Sequence, residues 1–89
     1  MENFKYEVTT AAECGDVVIL KTNDPNRALD AFSAADMAGM TTVLVDGTTG
    51  EVLAIANDPN HEDYSSDTFV AMLLQWALGE VTRELAELA

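Results

Sequence analysis

The chain has 89 residues, 48% of them apolar, and sets four Lys and Arg against sixteen Asp and Glu, a formal charge of −12. That length holds one domain, 1–89, and the apolar share is that of a folded chain rather than a disordered one. No apolar run reaches the ~20 residues of a bilayer span, and the charge repels nucleic acid and anionic lipid alike. The expectation is therefore no direct nucleic-acid contact and no membrane contact. A basic protein surface is the electrostatic complement, and plain solubility is the simpler reading of the same charge. The start Met1-Glu2-Asn3-Phe4-Lys5 lacks the basic stretch and apolar core of a signal peptide, and Cys14 has no second cysteine to pair with. Both point to a cytoplasmic protein.

Phe4, Tyr6 and Val8 alternate with Lys5, Glu7 and Thr9, the period of a half-buried strand. Ala11–Gly15 reads as a loop. Val17-Val18-Ile19-Leu20 is a β-branched apolar run and predicts a second strand, buried more deeply than the first and paired with it as a hairpin. Asp24 then offers a helix cap, with Pro25 at the first helical position, where a missing N–H costs nothing. Ala28, Leu29, Ala31, Phe32 and Ala35 share one face of that helix, with Arg27, Asp30 and Ser33 opposite. Gly39 is placed to end it. Thr41–Val45 and Val52–Ala56 predict two more strands around the turn Asp46-Gly47-Thr48-Thr49-Gly50. Asn57–Ser66 reads as a polar loop, and Phe69–Leu88 as a long helix capped by Ser66 or Asp67.

The tetrapeptide Asn23-Asp24-Pro25-Asn26 recurs as Asn57-Asp58-Pro59-Asn60, each time after a predicted strand. Two readings stay open: duplication of a ββα unit over 4–39 and 41–88, or two similar strand exits reached independently. Either way the order is ββαββα. The expected class is α+β, a four-stranded, mainly antiparallel sheet with two helices packed on one face.

The last helix is the most informative segment. In its first half, Phe69, Leu73, Trp76 and Ala77 are flanked by Val70, Met72, Leu74 and Leu78, an arc wide enough to predict burial on more than one side. In its second half, Leu74, Leu78, Val81, Leu85 and Leu88 follow alternating spacings of four and three, a heptad-like seam. A helix of this length spans about 30 Å, whereas a five-residue strand spans about 17 Å, so the tail should overhang the sheet. Glu84 and Glu87 sit where the helix dipole prefers cations. Glu80 repels Glu84, partly offset by Arg83 with Glu87. An isolated tail would fray. A second copy of the chain or another protein is one way to hold it, and a frayed or folded-back tail is the other.

Chemistry is harder to find. Asp58, Asn60 and Glu62 have the opening spacing of a calcium loop, but Asp63 stands where the glycine belongs and Phe69 where the bidentate Glu belongs. One His and one Cys, far apart, do not make a zinc site. His61 with Ser65 or Ser66 lacks a nucleophile elbow, and the acidic neighbours of Cys14 disfavour a thiolate. Gly47-Thr48-Thr49-Gly50 lacks the Lys and helix of a phosphate loop. No catalytic, cofactor or metal residue is assigned. The leading expectation is a non-enzymatic protein-interaction module that forms a homodimer, or docks a partner, through Leu74, Leu78, Val81, Leu85 and Leu88. A second is an acidic mimic of nucleic acid, as phage and mobile elements make, occupying a basic groove. A third is a small-molecule binder or enzyme that uses the 57–66 loop, which would require a deep pocket beside it.

Overall fold

The computed structural model describes residues 4–12 and 15–88. It is an α+β fold with five antiparallel strands and two helices: β1 (Tyr6–Ala12), β2 (Gly15–Thr22), α1 (Pro25–Met37), β3 (Thr42–Asp46), β4 (Val52–Ala56), β5 (Tyr64–Ser65) and α2 (Asp67–Leu88). The order is ββαβββα rather than the expected ββαββα, because the 57–66 segment contains a short fifth strand. Across the sheet the strands run β2-β1-β3-β4-β5.

Both helices cover the same face. Val8, Leu44 and Ala54 lie side by side on β1, β3 and β4. They join Leu53, Ala56, Ala28, Leu29, Phe32 and Phe69 in one buried cluster. Burying Leu29, Leu44 and Leu53 contributes about 1.5–3 kcal/mol each. α1 forms as its sequence dictates. The Asp24 carboxylate accepts from the Asn26 N–H at 2.9 Å, and Pro25 occupies the first turn. Gly39 ends the helix at φ +77°. Alanines at 28 and 35 let it lie close on β1 to β3.

β2 departs from expectation. Val17, Val18 and Ile19 are 41–45% exposed, so β2 is the less buried partner of β1, not the more buried one. Position explains this: β2 is an edge strand, and a continuous apolar run does not tell edge from centre. The loop expected at Ala11–Gly15 is also shorter, since Ala11, Ala12 and Gly15 belong to the hairpin and the Ala11 N–H bonds the Thr41 carbonyl at 3.0 Å. Cys14 lies outside the described residues, as do Met1, Glu2 and Asn3.

The two hairpins correspond in detail. In the first, Val8 pairs with Leu20 and Thr9 with Val18, leaving Ile19 as the extra residue of a bulge. In the second, Leu44 pairs with Ala54 and Val45 with Val52, leaving Leu53 extra. The offset that carries Asn23 onto Asn57 also carries Ile19 onto Leu53. Each tetrapeptide makes the same turn, with Asp58 accepting from the Asn60 N–H at 2.8 Å as Asp24 does from Asn26. The units then diverge. The first enters α1 directly, and the second returns along β4 as β5 before α2 begins.

The turn between β3 and β4 is tied to the start of the chain. The Gly47 N–H donates to the Lys5 carbonyl at 2.8 Å, and a Cβ on Gly47 would collide with the Phe4 carbonyl oxygen. Asp46 is buried there. Its Oδ1 accepts from the Thr48 hydroxyl at 2.6 Å and from the Thr48 and Thr49 amides at 2.8 and 3.2 Å. Its Oδ2 faces Lys5 Nζ at 3.2 Å. These contacts, the Thr48 bonds foremost, outweigh burial and hold its carboxyl far below the usual range.

Candidate functional site: an exposed seam on the long helix

α2 starts where the Ser66 hydroxyl accepts from the Phe69 N–H at 3.1 Å, so Ser66 is the cap and Asp67 stands in the first turn, where the dipole favours a carboxylate. Phe69 enters the core and meets the Phe32 ring edge-on, with centroids 5.3 Å apart. Met72 and Trp76 pack partly against the same cluster, and Trp76 Nε1 donates to Asp30 Oδ1 at 3.0 Å. These contacts fix the N-terminal half of α2 against α1 and β4.

The other side of α2 faces water. At 100° per residue, Leu74, Leu78, Val81, Leu85 and Leu88 centre about half a turn from Phe69, Met72 and Trp76. Their exposures are 61, 66, 52, 62 and 83%. Val70 and Leu73 are also exposed. The wide apolar arc is therefore not buried on two sides within one chain: one face enters the core and the opposite face lies open. With 22 residues, α2 is about 33 Å long. The molecule measures 48 × 32 × 23 Å along its principal axes.

Charges near the tail are arranged off the seam. Gln75, Ala77, Thr82 and Glu84 border it on the helical wheel, whereas Glu80, Arg83 and Glu87 lie further round. Arg83 NH1 pairs with Glu80 Oε1 at 3.1 Å, not with Glu87 as the spacing suggested. An i, i+3 partner is as close as an i, i+4 one.

The 57–66 loop is occupied by structural bonds. Asn57, at φ 60°, donates through Nδ2 to the carbonyl and Oδ1 of Asp36 at 3.0 and 2.9 Å and to the Met40 carbonyl at 3.3 Å. Its N–H donates to Asp63 Oδ1 at 3.2 Å, and its carbonyl accepts from the Thr41 hydroxyl at 2.7 Å. Asp58 is engaged with Asn60, and His61 is exposed. Among the described residues, no three His, Cys, Asp or Glu side chains gather as a metal site requires. Nor is any described helix long and apolar enough to cross a membrane. Beside the loop lies an open cleft of about 180 Å³, lined by Phe32, Asp36, Asp63, Tyr64, Phe69 and Trp76 among others. Ligand pockets usually measure ~300–1,000 Å³. No protein family, no curated protein and no solved structure matches this chain.

Proposed function

We propose that the chain is a non-enzymatic interaction module that self-associates through α2, with the seam Leu74, Leu78, Val81, Leu85 and Leu88 docking on the same seam of a second copy. The observation that carries this reading is the exposure of all five side chains on the face opposite the core. Those exposures leave roughly 600 Å² in water on each copy, against the ~800 Å² that a standard interface hides on each partner. Hiding half of it on both copies removes roughly 600 Å² in all and contributes about 15 kcal/mol. Association itself costs ~4–15 kcal/mol and each copy carries −12, so the seam supports a weak, concentration-dependent pairing. A second copy fits the 3–4 spacing as a two-fold, self-complementary contact. With only Glu84 bordering the seam, the copies approach without lining up their carboxylates. Native mass by light scattering after gel filtration, at two concentrations, tests this. A mass at least twice 9.6 kDa that falls in Leu78→Glu and Leu85→Glu supports it. A parent mass of one chain at both concentrations refutes it.

A further inference from the structure

Among the described residues, no strand pairs with the outer edge of β2. That edge is eight residues long, Gly-Asp-Val-Val-Ile-Leu-Lys-Thr, and holds no proline. A long apolar edge with free N–H and C=O groups is a template for another strand. The second half of the molecule shows such an edge covered. There, Ala54 and Ile55 of β4 pair with Ser65 and Tyr64 of β5. The offset that aligns β4 with β2 carries Ala54 and Ile55 onto Leu20 and Lys21, which have no such cover among the described residues.

We propose that β2 pairs antiparallel with β2 of a second copy, joining two sheets edge to edge. Three properties of the strand agree on one register. Full overlap of Gly15–Thr22 with its own copy places Asp16 opposite Lys21 of the second copy, and Lys21 opposite its Asp16. The same overlap sets Val17 against Leu20 at both ends of the apolar quartet. Opposed residues must also share a face of the sheet. In a regular strand Asp16 and Lys21, five apart, would face opposite ways. The bulge at Ile19 corrects this. Asp16 pairs with Ala11 and Lys21 with Glu7 on β1, so both point to the uncovered face. Val17 and Leu20 pair with Thr10 and Val8, so both point to the helical face. A bulge commonly protects an edge; here it brings the two arms of a self-paired strand, on either side of the central Val18–Ile19 pair, into agreement.

This contact is separate from the α2 seam, because α2 packs chiefly against α1 and β4, away from β2. Two distinct two-fold contacts on one chain join pairs into larger assemblies. The test uses the full chain carrying Leu85→Glu, so that only the β2 contact remains. In that background, sedimentation should show one chain when dilute and two when concentrated. Amide exchange between Asp16 and Lys21 should slow as concentration rises. Adding Asp16→Lys to one sample sets lysine against Lys21 of its own copy, and adding Lys21→Asp to another sets Asp16 against aspartate. Each should remain a single chain. Their equimolar mixture restores two opposite-charge pairs and should double the mass. A parent that stays a single chain, with β2 exchange independent of concentration, overturns the proposal. So does a mixture of folded variants no heavier than its components.

Discussion

Replacing Leu85 with glutamate separates association from folding, because Leu85 touches little of its own chain. Full burial of a leucine is worth about 1.5–3 kcal/mol. Leu85 is 62% exposed, so an interface has about 1–2 kcal/mol per copy left to gain from it. A two-fold contact uses the residue twice, and the loss becomes about 2–4 kcal/mol, a weakening of about 30- to 700-fold in Kd. The buried carboxylate adds to this. The single chain loses little, and its unfolding free energy measured when dilute should move by less than ~0.5 kcal/mol. Sedimentation across a concentration series gives Kd, and denaturant unfolding of dilute protein gives the control. Each copy carries −12, so added salt should tighten the parent's association by screening that repulsion. An associating parent whose Kd is unmoved by both Leu85→Glu and Leu78→Glu would refute the placement of the interface on α2.

Three further outcomes concern the scaffold. The Asp46 carboxyl titrates far below its unfolded value, so its stabilisation is complete above the ordinary carboxylate range and is lost as pH falls toward the folded value. Asp46→Asn should therefore be less stable than the parent at pH 7 in chemical unfolding, with the gap closing in acid; a gap constant down to strong acid contradicts this. Gly47→Ala places a methyl against the Phe4 carbonyl oxygen and should cost about 1–3 kcal/mol by thermal unfolding, whereas no loss would mean that the Phe4–Lys5 segment moves aside freely. Asn57→Gly removes three side-chain bonds and frees the backbone, while Asn57→Ala removes the same bonds but retains a Cβ at φ 60°. The alanine variant should be about 1 kcal/mol the less stable of the two, and equal stability would argue against backbone strain.

What could be read from the sequence was local chemistry. Asp24 and Pro25 mark the start of α1, Ser66 or Asp67 that of α2, and the apolar run Val52–Ala56 matches β4 residue for residue. The glycines of the Asp46–Gly50 turn likewise announce the hairpin. What was not legible depended on neighbours distant in sequence. Nothing in Val17–Leu20 says that its strand lies at an edge, because burial follows from the strand order and not from composition. Tyr64–Ser65 is too short to carry a period, and β4 alone makes it a strand. The seam was visible in its spacing, but the sequence did not show that it points away from the core. That depends on Phe69 and Trp76 taking the opposite side of the helix.

Asn57 gives the molecule a mechanical property that its elements lack separately. One residue holds the last turn of α1 through Asp36, the approach to β3 through Met40 and Thr41, and the loop through Asp63. Opening the loop around residues 57–63 therefore removes a tie on the end of α1 in the same event, and fraying of α1 loosens the loop. The two segments, far apart in sequence, share this one tie, and its loss weakens both against local unfolding. A protease that cuts there meets a latch common to both halves of the chain.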